Sequence, residues 1–554
     1  MERDRGMYDV AILGTGIAGT ILANILARHG VKVLMVDSGT HPRFAIGEST
    51  VANTTLLLEF LAARFSVPEL YNISTPALVR KHVGTSCGIK ESFGYVYHRE
   101  GRKQAAGEAL MLGVSKYLRH TEVHYFRQDI DAYLFHSAIR YGADARQNFK
   151  IADVAFDDAG GWVIGATGER FRARYVVDAT GYKSVLADKF QLRETPTRLR
   201  HQSRSLFTHM VGVKSYDDCV EPRGAHRMAA PWSRSTLHHM FDGGWLWVIP
   251  FNNEKHSTNP LCSVGLCYDL RKHPQRDPDP QAEFDAFLAR FPEIKRQFED
   301  ARPVRPWTST DRIQYSSTTS VGDRYCLMSH ADGFVDPYFS RGLVNTMEVA
   351  HALALRLLEA VKDGDFSARR FAFIDQLQRN QLDYNDRLVH AIYSSFSNFD
   401  LWNALVRVWA VGTVASEGRL MEALVKYKFR GDPAILNDFD NPPYPGYQYP
   451  YGVWFKNVFE EIMSEMDAFN SGAIPPDEAS RRIFRHLKEA DYRDSIFDRA
   501  VNGPLLWALC DAETRCMFMH PKLFLRSRNL SLAREWMALR RAQRPKHHLR
   551  VRNP

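Results

Sequence analysis

The sequence predicts an α/β protein in which a dinucleotide-binding βαβ unit leads into a mixed β-sheet region and then a mainly helical C-terminal part. Three observations carry that expectation. An apolar strand runs straight into a glycine fingerprint within residues 8–37, a β-patterned segment with two tryptophans stands at residues 244–250, and helical apolar spacing sets in from residue 344. At 554 residues the chain exceeds what one hydrophobic core fills, so two or three packed units are expected. The division read from the sequence is a core over residues 1–355 carrying an inserted β-sheet region at about 200–310, followed by a helical region over 356–554 that shapes or covers a pocket.

The first unit is the most explicit. Tyr8-Asp9-Val10-Ala11-Ile12-Leu13 reads as a buried strand, Gly14-Thr15-Gly16-Ile17-Ala18-Gly19 turns into a helix through Ala23 and Leu26, and Val31 to Val36 forms the next strand. Gly14 permits the tight turn, Gly16 lets a pyrophosphate approach the backbone, and Gly19 lets helix and strand pack closely. The helix N-terminus offers its dipole and free N–H groups. Asp37 ends the second strand at the spacing expected of a ribose-binding carboxylate. Fingerprint, strands and acid together predict a dinucleotide site and leave FAD or NAD open.

Composition narrows the class. A hydrophobic fraction of 45% with 25% charged residues is that of an ordinary globular protein, and no apolar run is long enough to cross a bilayer. Val10 to Leu13 lacks the basic leader and cleavage site of a signal peptide, so a cytoplasmic location is expected, with no membrane association. Seven cysteines form neither a CxxC pair nor a Cys/His cluster, so no metal site and no disulfide framework are expected. The net charge of +8 is concentrated partly in residues 526–552, where a solvated basic face is the expectation. Aromatics are not interleaved with that run, so nucleic acid is not expected as a partner.

In Gly244-Trp245-Leu246-Trp247-Val248-Ile249-Pro250 the two indoles fall on one side of a strand and make a rigid wall, with Ile249 and Pro250 stiffening its end. Trp-x-Trp-x-Ile-Pro in a chain that opens on this glycine fingerprint resembles the flavin-dependent halogenases over residues of about 8–410. Tyr175 to Gly181 and Val321 to Leu327 likewise resemble motifs of glutathione-reductase-type FAD folds, which favours FAD. That resemblance implies an FADH2-dependent enzyme in which reduced flavin, O2 and chloride or bromide give hypohalous acid. The tryptophan wall keeps organic substrate away from the flavin.

The resemblance also implies site residues. Further cofactor contacts are Arg43, Gly47, Glu48 and Ser49 in the segment His41 to Ser49, Arg127 at the start of a helix, Asp323 after Gly322, and Asp336 and Pro337. Lys90 stands at the family's essential lysine, with Lys81 its nearest rival; strand alternation puts Lys90, Ser92 and Gly94 on one face and Glu91, Phe93, Tyr95 and Tyr97 on the other. The amides around Ser340, Arg341 and Gly342, before the helix beginning near Leu343, form the expected halide site. Phe339 stands where tryptophan halogenases carry a glutamate. With Phe126 to Asp129, Ser235 to His239, Phe251 to Asn253 and Phe339 to Gly342 resembling segments of the phloroglucinol and tetracycline chlorinases, this implies a small phenolic or aromatic polyketide substrate.

His82, His209 and His239 are candidate bases, and Phe396, Phe399, Trp402 and Trp409 candidate pocket residues. No second glycine fingerprint provides an NAD(P)H site, so a separate flavin reductase is the expected partner. Delivery on a carrier protein is weakly suggested by the basic charge and is not favoured. A flavin aromatic hydroxylase of the same fold and a non-catalytic flavin-binding protein are the alternatives.

Overall fold

The computed structural model describes residues 6–113, 121–220, 226, 228 and 230–491; the basic run at 526–552 lies outside the described residues. A first sheet forms around the strand Tyr8–Leu13, which pairs in parallel with Val33–Val36 on one side and Arg170–Asp178 on the other. The sheet continues through Tyr325–Leu327 beyond 170–178 and through Asp144–Arg146 beyond 33–36. The chain leaves its first strand toward one neighbour and returns later to the opposite one. Their carboxyl ends therefore flank the crevice where such sheets bind ligands. The central runs 10–13 and 33–36 are apolar because both faces are covered, as the burial of Val10, Ala11, Ile12 and Leu13 shows.

The second sheet is the mixed one the sequence suggested. Its order is Arg302–Pro303, Ser203–Val211, Cys262–Asp269, Gly244–Pro250, Ser235–Phe241, Ser92–Tyr97 and Ala109–Gly113. All its pairings are antiparallel except that of 235–241 with 92–97. It thus draws strands from before residue 200 as well as from 203–309. Leu246 and Val248 pack against Phe284, Phe287 and Ile294 of the helices Pro280–Arg290 and Pro292–Gln297, whereas Trp245, Trp247 and Ile249 join the opposite core. The alternation read from the sequence at 244–250 is therefore the observed one.

Helices Gly342–Asp363, Ala368–Ser395, Phe399–Arg430, Val453–Asn470 and Pro476–Glu489 close that opposite side. The continuous pattern from Phe371 to Leu405 is broken at residues 396–398 without proline or glycine; the Asn398 side chain accepts from the Leu401 amide and starts the next helix. Helix 399–430 is buried around most of its circumference, so it serves as a core element against the second sheet. No helix among the described residues is long and apolar enough to cross a membrane, and no metal-binding cluster occurs among them.

Candidate active site

At the first crevice Gly14 takes φ of +96°, and a β-carbon there would come within 2.6 Å of the Ala179 carbonyl oxygen. On Gly19 it would lie 2.2 Å from the Gly14 oxygen, so these two positions admit no side chain. Gly16 is different: nothing lies within 4 Å of an added β-carbon, and the residue is half-buried at the start of the helix Ile17–Arg28 beside half-buried Ala18. That open space before free helix amides is the cradle a pyrophosphate needs, and the residues present fit a dinucleotide. Asp37 accepts from the Thr15 amide at 2.7 Å and the Gly39 amide at 2.8 Å, and pairs with Arg43 at 2.6 Å, so it also pins the turn that forms the cradle.

Residues 42–47 form a half-exposed to exposed strap beside this crevice. Arg127 is expected from the sequence to contact the cofactor through its guanidinium fork. Instead it is buried, pairs with Asp131 through Nε and Nη2, and donates from Nη1 to the carbonyls of Ile46 and Gly47 at 2.7 and 3.1 Å. It holds the strap in place. Glu48 is buried and 2.6 Å from His209, whose ring is enclosed by Phe44, Phe126 and Phe251. Ser49 turns away from the crevice toward Lys90.

Two further cofactor assignments are corrected. Asp323 is exposed and accepts from the Ala368 amide at 2.7 Å, capping a helix. It precedes a strand parallel to 170–178 and so lies at the edge of the sheet opposite the glycine turn. The residues that emerge at the correct edge are Ser329, with φ of +55°, and exposed His330, whose Nε2 lies 3.4 Å from where a Gly342 β-carbon would be. The signal was present in the sequence as the strand end at Leu327. Asp336 is likewise internal scaffold: its carboxylate accepts from the Ser203 hydroxyl at 2.8 Å, the Tyr393 hydroxyl at 2.9 Å and the Tyr338 amide at 3.0 Å.

Lys90 is fully buried. Its Nζ donates to the Thr50 carbonyl at 2.6 Å and the Ser49 hydroxyl at 2.9 Å, and sits 3.3 Å from the centre of the Phe93 ring. The sequence placed Phe93 on the opposite face. The structure breaks the strand at Glu91: Gly88–Lys90 pairs with Glu122–His124, whereas Ser92–Tyr97 belongs to the second sheet, so alternation does not carry across. The lysine strand is clamped by Asn253, which bonds both the amide and the carbonyl of Ile89, and Gly88 allows close approach to the Pro250 carbonyl. Lys81 and His82 are exposed, and His239 bonds His98 and Gln297; among these histidines, none contacts the amine.

From Lys90 a chain of packed aromatic rings extends to the tryptophan wall. Phe93 meets Trp409 edge-on at 5.1 Å, Trp409 stacks on Phe339 at 5.0 Å, Phe339 abuts Tyr338, and Tyr338 meets Trp245 at 4.9 Å. His238 stacks between Tyr95 and Trp245. Hydrogen bonds fix the rings: Trp402 Nε1 donates to the Tyr338 hydroxyl and Trp245 Nε1 to that of Tyr393, each at 2.8 Å, while Trp247 Nε1 donates to Ser263 at 3.2 Å. Trp402 and Trp409 pack in this core, with Phe396 against Tyr338 and Phe399 against Trp402. Burial holds the Tyr95 and Tyr338 phenols well above their ordinary pKa and lowers the His238 imidazole to about 3, so all three are neutral. The Tyr95 hydroxyl and Trp409 Nε1 are buried without a hydrogen-bond partner among the described residues.

Next to Phe339, a cleft lined by His330, Arg341, Gly342 and Asn345 reaches the N-terminus of helix 342–363. The Ser340 amide is engaged by the Pro337 carbonyl at 3.0 Å, so of the three expected halide amides it is already used. The Arg341 side chain is bound to Gln448 and Asn345.

These features define a dinucleotide-binding core joined to a buried aromatic cluster with Lys90 packed against its Phe93 end. Residues 7–364 match the FAD binding domain family, so the dinucleotide is FAD. The chain is 44% identical over 486 residues to tetracycline 7-halogenase of Kitasatospora aureofaciens, covering 88% of this chain and 87% of that protein. It is 45% identical over 497 residues to monodechloroaminopyrrolnitrin halogenase PrnC of Pseudomonas fluorescens, covering 90% and 87%. The crystal structure of halogenase PltM in complex with phloroglucinol and FAD superposes with a TM-score of 0.83 at 36% identity, covering 87% of this chain and 96% of that one. The chain belongs to the flavin-dependent halogenases, with FAD and halide as its cofactor and co-substrate.

Proposed function

We propose that this enzyme halogenates a small phenolic ring in the chamber between Lys90 and the Trp245–Trp247 wall, with Lys90 carrying the electrophilic halogen. The observation that supports it is the placement of Lys90: fully buried, held by Ser49 and Thr50, with its amine on the Phe93 ring that opens the aromatic chamber. When reduced FAD is bound, it supplies with O2 the oxidising power that converts chloride or bromide to hypohalous acid. Gly14, Gly16, Ile17, Ala18 and Gly19 would hold the pyrophosphate, Asp37 with Arg43 the adenosine end, and the strap at 42–47 together with Pro337 would flank the flavin. The Arg341 and Gly342 amides would bind the halide. Trp245 and Trp247, locked by their hydrogen bonds, keep the organic ring off the flavin, with Ile249 and Pro250 fixing the strand end.

The phenolic class is supported by the chamber's chemistry. It is walled by neutral rings, and two buried polar groups, the Tyr95 hydroxyl and the Trp409 N–H, await a partner that a substrate oxygen provides. PltM was crystallised with phloroglucinol, a phenol, in keeping with this reading. A separate flavin reductase supplies the FADH2. The test uses purified protein with FAD, a flavin reductase, NADH, a panel of phenols, and chloride or bromide. Mass spectrometry is expected to show halide-dependent ring halogenation; oxygen insertion that ignores halide overturns the reading.

A further inference from the structure

The short sheet that carries Lys90 brings a second ionisable group to it. In the antiparallel register Lys90 lies directly opposite Glu122, and the two side chains are 0% and 3% exposed. Directly opposed residues hold their β-carbons about 5 Å apart. Both also converge on Thr50: Lys90 donates to its carbonyl, while the Thr50 hydroxyl lies 3.2 Å from the Glu122 carboxylate. Glu122 accepts a further bond from the Thr55 hydroxyl at 2.7 Å. No direct ion pair joins Glu122 to the amine among the described residues, so the carboxylate acts through space.

The other titratable groups facing the amine carry no charge. His124, on the strand of Glu122, and His238, on strand 235–241, are each held down to about 3 by burial, with the Lys90 charge contributing. Ser49 and Thr50 offer only a hydroxyl and a carbonyl. Burial pulls the Lys90 amine well below its ordinary pKa and pushes the Glu122 carboxyl up, while the charge of Glu122 draws the amine back upward.

We propose that Glu122 is a positioning residue for the reaction, setting through its charge the pH range in which Lys90 handles halogen. The proposal rests on the assignment of Lys90 as halogen carrier. It holds whether the amine works charged, donating a hydrogen bond to hypohalous acid, or neutral, exchanging a proton for halogen with release of water. In either case the pH limb that belongs to Lys90 moves the same way when the neighbouring carboxylate is removed.

The test is the pH dependence of ring halogenation by the FAD-loaded full chain, with flavin oxidation followed in parallel. In Glu122→Gln, whose amide oxygen still accepts from Thr55, the Lys90 limb is expected about one pH unit or more lower, the size of effect one close opposite charge exerts. Flavin oxidation should keep its profile, and Glu122→Asp should return the limb toward the original position. Thr55→Val, which removes a donor to the carboxylate without touching the lysine, should shift the limb in the same direction by less. A folded Glu122→Gln enzyme with uniformly reduced rate and an unmoved limb overturns the proposal; if that variant does not fold, an unmoved limb in Thr55→Val does so. Lys90→Ala separates the two readings. Product formation by that variant sinks the lysine assignment itself, whereas a dead Lys90→Ala beside an unmoved Glu122→Gln limb sinks only the role of Glu122.

Discussion

Replacing Lys90 by Met should abolish organic halide formation while leaving the fold intact, and the structure sets the energetic expectation. The amine is fully buried, and burial lowers its pKa, so its charged form costs stability at neutral pH. Each unit of that depression corresponds to about 1.4 kcal/mol. Against it, Lys90→Met leaves the Thr50 carbonyl short of a donor, a loss of about 1–3 kcal/mol, while Ser49 keeps its bond to Thr236. The two terms oppose, so the net change is smaller than the larger of them.

The pH dependence gives the sign. A lysine depressed in the folded state means that the unfolded chain binds more protons between the folded value and about 10.4, so the parent gains stability as pH rises through that window. Lys90→Met lacks the gain, and the two melting curves should diverge in the parent's favour toward alkaline pH. Product formation is expected to fall ~10²–10⁴-fold, the range for a positioned group taking part in bond making, with flavin oxidation and release of trappable hypohalite retained. Melting temperatures from pH 7 to 10, a hypohalite trap and product mass spectrometry read all three. Parental rates of ring halogenation, or a variant that loses product only by unfolding, would refute the reasoning.

Three further outcomes are expected. Gly16→Val should weaken FAD binding by an order of magnitude or more in a fluorescence titration while the melting temperature without FAD holds, because its side chain enters open space; Gly19→Ala should fail to fold, since its β-carbon meets the Gly14 carbonyl at 2.2 Å. Equal affinity in Gly16→Val would remove the cradle from consideration. Trp409→Phe, which deletes an unpartnered N–H and keeps the ring, should raise KM for phenols roughly 5–10-fold, about one hydrogen bond, with kcat little changed. An unaltered KM would show that the indole does not touch substrate oxygen. Finally, His98, His124, His238 and His239 are held neutral by burial, the last three at about 3, 3 and 4. Their stabilising contribution is complete above the unfolded value near 6.5 and is lost as pH falls toward those folded values. Asp332 and Glu122, each raised to about 7 by burial, and Glu348, also raised, work in the opposite sense and are outnumbered by these four histidines together with His330 and His390, each lowered to about 4, so the melting temperature should drop from pH 6.5 to 5; a flat profile would contradict buried neutral imidazoles.

What the sequence made legible follows from the range of the interactions involved. The glycine cradle and the tryptophan wall are local: each is set by residues within one turn or one strand, and the fold places them as the spacing implied. The errors arose where position depends on partners far along the chain. Val321 to Leu327 reads as a strand preceded by Gly-Asp, but only the parallel pairing with residues 170–178 reveals that Asp323 lies at the wrong edge and His330 at the right one. Lys90 and Phe93 look opposed by alternation, and only the division of residues 88–97 between two sheets brings the ring under the amine.

Glu122 left no local signal, because what singles it out is its register with a residue more than thirty positions earlier. The same reasoning explains why this lysine can be both buried and useful. A lone ammonium at zero exposure would be costly to hold, and one paired directly with a carboxylate would be tied up as an ion pair. A carboxylate kept one strand away, anchored by Thr55 and beyond ion-pair distance, offsets part of the burial cost and leaves the amine to Ser49, Thr50 and the face of Phe93. If Lys90 carries halogen as proposed, the separation between Lys90 and Glu122 is the feature that leaves its nitrogen outside an ion pair.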